Sequence, residues 1–199
     1  MSRDGRRRAD AERNIEAILD AALDCFSEQP DVSMTAIAQA AGVSRVTLYT
    51  HFPSREELLA RVLDRAVSSA AVVLDAEALD DGPAVEALSR LIRSAWHILA
   101  GYRNLMTAAG AVFSARQVRG YHKVVLQRVE RLIARGRDEG SFRTDLPQAW
   151  LVTVFYSLIH VAADEVGAGR LKQRDAANVL EATVLGALTS PAPVGRIGR

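Results

Sequence analysis

Residues 34–59 read MTAIAQAAGVSRVTLYTHFPSREELL, and the punctuation of this stretch decides how the N-terminal part of the chain folds. Ser33 stands as a plausible N-cap ahead of a short helix whose inward positions are Ile37, Ala38 and Ala41. A serine there accepts a hydrogen bond from an amide that has no partner inside the helix. Gly42 breaks this helix, and a second short one begins near Ser44, carrying Val46, Leu48 and Tyr49 up to His51-Phe52-Pro53. Two short helices about a tight glycine turn form a helix-turn-helix layout. The first braces across phosphates and the second enters the major groove. The layout needs a small residue at the turn, met by Gly42, and polar side chains on the exposed face of the second helix. Ser44, Arg45, Thr47 and Thr50 supply that face, while Val43 and Leu48 can pack inward. Helix, glycine and helix alone also occur in proteins that bind no DNA.

Outward from this centre the periodicity stays helical. Upstream, Ile15, Ile18, Leu19, Ala22, Cys25 and Phe26 recur at helix spacing until Gln29-Pro30-Asp31. Arg3, Arg6, Arg7 and Arg8 make residues 1–9 a basic arm, expected to be disordered; charge alone leaves open whether it binds phosphate or is simply solvated. Downstream, Ser54 and Glu57 have capping-box spacing and open a helix through Leu58, Leu59, Val62, Leu63, Ala66 and Val67. After Asp80-Asp81-Gly82-Pro83, further helices are expected to about residue 101, over 103–115 and over 117–138. Gly140 suits a helix C-cap, and Pro147 a helix start. Residues 149–163 are apolar almost all round, which requires cover on more than one side. A last helix is expected over about 173–189, and the Pro- and Gly-containing residues 190–199 as a disordered tail. No strand-like alternation appears, so the fold class is all-α.

Composition narrows the class. Of 199 residues, 49% are apolar and 25% charged, the balance of a soluble globular protein. No apolar run is expected to reach the roughly 20 residues of a membrane span. The lone Cys25 cannot form an internal disulfide, which fits a cytoplasmic setting, and its place on an apolar face favours a buried small hydrophobe. Net charge is only +1, and residues 1–64 hold eight arginines against eleven acids, so total charge announces no nucleic acid. Distribution says more: residues 32–55 carry Arg45 and Arg55 and no acid.

The pattern Ile37-Ala38, Ala41-Gly42-Val43-Ser44, Leu48-Tyr49, His51-Phe52, a basic residue at 55 and Leu58-Leu59 resembles the DNA-binding signature of the tetracycline-repressor (TetR) family of bacterial regulators. Gly136 to Leu146 (GRDEGSFRTDL) resembles that family's helix end and loop before its penultimate helix. The resemblance implies a three-helix helix-turn-helix DNA-binding domain over 10–55 and a helical ligand-binding and dimerisation domain over 56–189. It implies that Ser44, Arg45, Thr47 and Thr50 face base edges or nearby backbone. Tyr49, His51 and Arg55 would hold phosphates, and Thr35 a phosphate or base. The family usually has Lys where this chain has Arg55. Phosphate contacts set affinity and register, base contacts set preference, and Arg45 is the candidate for a guanine edge. Taken singly, Tyr49 and His51 could also be a half-buried aromatic and a polar helix end.

The implied partners are double-stranded operator DNA, a second copy of the chain, and a small-molecule effector of apolar or amphipathic character. No membrane, metal or cofactor is implied. The pairing surface is expected on the helices at about 147–167 and 173–189, with Leu158 and Val184 as test positions. Candidate effector contacts are Trp96, Tyr102, Met106, Phe113, Tyr121, Trp150, Phe155 and His160, of which two or three are expected to touch a ligand and the rest to be core. Two rival functions remain. His97, His122, His160, Asp164 and Glu165 lack metal or triad spacing, which weighs against an enzyme. A helical interaction module with an idle helix-turn-helix is the other.

Overall fold

The computed structural model describes residues 3–189. In chain order the helices are α1 (Arg3–Glu28), α2 (Met34–Ala40), α3 (Arg45–His51), α4 (Arg55–Asp75) and α5 (Ala84–Gly101). There follow α6 (Arg103–Val112), α7 (Ala115–Tyr121), α8 (Lys123–Asp138), α9 (Gln148–Gly167) and α10 (Gln173–Leu188). No strand occurs among the described residues; an antiparallel bridge joins Phe142 to Thr189. Helix α1 begins at Arg3, within the arm expected to be disordered. The expected tail, 190–199, lies outside the described residues.

The chain divides into two compact units. One comprises the chain up to Ser69 with Gly101–Tyr121, the other Ala70–Ala100 with the chain from His122 onward. In the first unit Ile18, Leu19, Ala22 and Phe26 of α1 pack with Ile37, Leu48, Phe52, Leu58, Leu59 and Val62. Leu105 and Ala108 of α6 join this core. The Asn104 amide donates to the Ser27 and Glu28 carbonyls at 2.8 Å each, satisfying the last turn of α1. Arg65 on α4 reaches Glu16 and Asp20 on α1 at 2.5 Å each.

In the second unit α9 packs against α8 and α10 around Leu88, Ile92, Trp96, Val129, Leu132, Ile133, Phe155, Leu180 and Val184. The helix expected over 117–138 is broken at His122, where Gly120 just before weakens helix propagation. Gly140 ends α8 with a φ of +72°, and the amides of Ser141 and Phe142 both reach the Gly136 carbonyl at 2.9 Å. Phe142 then lies on Gly136, where a Cβ would come within 2.1 Å of its ring. Helix α9 is long and apolar enough to cross a membrane by length and composition, which revises the expectation that no run approaches that length. Thr153, Ser157 and His160 interrupt the run in sequence without lowering its mean hydropathy enough to disqualify it. Its Leu151, Val152, Phe155, Ile159, Ala162 and Ala163 belong to the core of the second unit.

Candidate nucleic-acid interface and effector site

The turn between α2 and α3 takes the form its residues dictate. The Ser33 hydroxyl accepts from the Ala36 amide at 3.1 Å and so starts α2. Gly42 adopts a φ of +67°, the left-handed region that side chains other than glycine's disfavour. The Val43 amide returns to the Ala38 carbonyl at 3.0 Å, closing the turn. Ser44 caps α3, accepting from the Thr47 amide at 3.0 Å, and its hydroxyl lies 2.8 Å from that of Thr47. Such a cap stabilises a helix by about 1 kcal/mol, a large share for a helix of seven residues. Leu48 is fully buried and holds α3 on the core of the first unit.

With Leu48 inward, the opposite face of α3 is fixed. Arg45, Val46, Tyr49 and Thr50 line one shallow depression on the surface. The Arg45 guanidinium lies over the Tyr49 ring, 5.5 Å from its centroid. Thr50 returns its hydroxyl to the Val46 carbonyl at 2.8 Å. Val46, which the sequence reading grouped with the apolar residues of this helix, is 77% exposed and stands among the candidate readers. An exposed valine on such a face is suited to the methyl group of thymine. Thr35 is exposed on α2, and His51 is half-buried in the last turn of α3.

Arg55 also has partners inside the fold. Its guanidinium donates to the Val32 carbonyl and, at 2.7 Å, to the Pro30 carbonyl, and lies 4.9 Å from the centroid of the Phe26 ring. It ties the loop between α1 and α2 to the start of α4. Ser44 and Thr47 likewise spend hydrogen bonds on the cap, so Arg45, Val46, Tyr49 and Thr50 carry the open face.

The eight candidate effector residues divide four to each unit. In the first, Tyr102 and Phe113 pack on its core, Phe113 and Tyr121 have ring centroids 6.0 Å apart, and Met106 is half-buried. In the second, Trp96 and Phe155 are core, while Trp150 is 55% exposed. His160 meets two residues outside the candidate set. Its ring centroid is 4.3 Å from that of Tyr156 and 5.5 Å from that of His122, and the His122 and Tyr156 rings are 5.5 Å apart. No spacing in sequence signals this cluster, because His122 precedes α8 and the other two lie on α9. Cys25 is half-buried, and burial, then Glu28 and Asp24, push its thiol up, away from thiolate reactivity.

Residues 18–62 match the family model described as bacterial regulatory proteins, tetR family. The chain is 27% identical to the HTH-type transcriptional regulator NfxB of Pseudomonas aeruginosa over 191 residues, covering 91% of this chain and 95% of that protein. It is 27% identical over 185 residues to the transcriptional repressor LfrR of Mycolicibacterium smegmatis, covering 90% and 93%. The crystal structure of LfrR in complex with proflavine superposes with a TM-score of 0.68 at 19% identity, covering 90% of this chain and 98% of that one. The regulator FadR of Bacillus subtilis, solved in complex with stearoyl-CoA, superposes with a TM-score of 0.70 at 21% identity, covering 88% and 97%. Residues 18–62, with the capped helix-turn-helix and its acid-free stretch 32–55, thus carry the DNA-binding domain of the tetR family of bacterial regulatory proteins, on a helical fold shared along nearly the full length of these regulators.

Proposed function

We propose that the protein is a ligand-responsive repressor that binds an inverted-repeat operator as a homodimer and is released by an apolar or amphipathic small molecule. The open face of α3, with Arg45 stacked on Tyr49 beside Val46 and Thr50, is the observation that carries this reading. Arg45 reads a base edge, Tyr49, His51 and Thr35 contact the backbone, and Arg55 acts mainly by holding the α1–α2 loop. LfrR is named a repressor and was solved with proflavine, and FadR with stearoyl-CoA, which supports repression relieved by a small molecule. The effector weakens DNA binding only by as much as it prefers the DNA-free conformation.

Footprinting on the DNA upstream of the chain's own gene, with mobility shifts across a salt series, tests the reading. The expected footprint has two-fold symmetry, with half-sites about one helical turn apart or slightly more. Arg45→Ala should cost roughly 1–3 kcal/mol on the cognate site and relax preference at one position per half-site. Tyr49→Phe should weaken specific and nonspecific DNA alike. An asymmetric site, or full binding by the Arg45→Ala and Tyr49→Phe double variant, would mean another surface meets DNA and favour an interaction module with an idle helix-turn-helix.

A further inference from the structure

The open face of α3 offers fewer hydrogen-bonding groups than its sequence promises. Thr50 spends its hydroxyl proton on the Val46 carbonyl at 2.8 Å. The Ser44 and Thr47 hydroxyls lie 2.8 Å apart, so one donates to the other, and Ser44 also accepts from the Thr47 amide. Val46, by contrast, is 77% exposed, more than any other large hydrophobic among the described residues. The depression that it lines with Arg45, Tyr49 and Thr50 has a mostly apolar surface. Folding does not call for a valine there. Leu48 holds α3 on the core, and valine is one of the weaker helix formers.

We propose that Val46 reads the C5 methyl group of a thymine in each operator half-site, at the base pair next to the guanine read by Arg45. This rests on the reading above, in which α3 enters the major groove, and names one further base of the target. The thymine methyl is the one carbon group that a base pair projects into the major groove, so an exposed valine has a single apolar partner there. Over any other base, valine would cover donors or acceptors and leave them unpaired.

The geometry places the two readers side by side. Arg45 and Val46 are the first two residues of α3, at the end of a recognition helix that meets base edges. Successive helix residues are turned by about 100° and displaced by about 1.5 Å, so the two side chains reach neighbouring base pairs rather than the same one. The Arg45 guanidinium lies over the Tyr49 ring, 5.5 Å from its centroid, and leaves Val46 uncovered. Covering one methyl group is worth about fourfold in affinity per half-site, and about fifteenfold for the two half-sites together.

The test starts from the operator that the full chain selects out of a random DNA pool. Each thymine of a half-site is replaced, symmetrically in both halves, by deoxyuridine, which removes the methyl group alone. At one position, beside the guanine for which Arg45→Ala loses its preference, this should weaken binding about fifteenfold. Cytosine there should bind more weakly than 5-methylcytosine, a comparison that needs no variant. Val46→Ala, at an exposed site where alanine favours the helix, should bind the thymine and uracil operators equally, both as the native chain binds the uracil one. A uracil penalty that persists in Val46→Ala would lie in the flexibility of the DNA or in another side chain, and would overturn the proposal. Equal binding of thymine and uracil at every position would also overturn it, while a two-fold operator still weakened by Arg45→Ala leaves the DNA-binding reading standing. A pool that yields no two-fold operator, or an operator that Arg45→Ala binds fully, overturns both.

Discussion

Arg45 and Arg55 lie ten positions apart on the acid-free stretch, and the structure puts the same side chain to two uses. Arg45 is exposed and lies over the Tyr49 ring, which restricts the freedom of its fork on the open face of α3. Arg55 is half-buried and feeds two loop carbonyls while covering Phe26. Arg55→Ala should therefore lower the unfolding free energy by about 1–3 kcal/mol in denaturant titrations without DNA, because two carbonyls lose a charged donor. Arg55→Lys keeps the charge but not the fork and should recover only part of it. A variant as stable as the parent that nevertheless loses operator affinity would return Arg55 to the phosphate contacts.

At the scale of the element, the recognition helix is short and depends on what surrounds it. Its seven residues hold because Ser44 caps one end and Leu48 is buried beneath it. The end of α8 depends on an absence. Gly136 has no side chain, and Phe142, almost wholly buried, fills that place. Gly136→Ala puts a methyl group into the ring, and the surrounding core leaves the ring little room to move. The expected cost is about 1–3 kcal/mol. Thermal unfolding checks it, and Gly140→Ala, strained by the positive φ instead, should add to it nearly independently only if Phe142 has not already shifted.

For the whole molecule the question is which apolar residues are surplus to one chain. On α9, Trp150 is 55% and Val161 52% exposed, and on α10 Val179 is 47% exposed. Trp150, Val154, Ser157 and Val161 follow one another at helical spacing. This is the surface that a second copy would cover in the proposed dimer. Val184 is fully buried inside the protomer and Leu158 packs against its core, so neither isolates pairing from folding. Trp150→Asp with Val161→Asp should instead give a folded monomer by light scattering, with the native helix signal in circular dichroism and much weaker operator binding. A double variant that stays dimeric would move the interface elsewhere.

Local chemistry sufficed for the helices, the Gly42 turn, the Ser33 and Ser44 caps and the buried Leu48, because each follows from neighbours within about one helical turn. It also sufficed for the tetR-type DNA-binding domain, since the signature lies in one continuous stretch. Tertiary structure alone decided the rest. The placement of α6 and α7 with the N-terminal helices depends on Leu105, Ala108 and Asn104 meeting residues some 80 positions earlier. The exposure of Val46 depends on which side of α3 the core claims, and the commitment of Arg55 depends on a loop more than 20 residues upstream. The cluster of His122 with Tyr156 and His160 forms only when α8 and α9 pack. Short-range geometry is written in the spacing of residues, whereas the partner of a side chain across the fold is set by packing that no local pattern encodes.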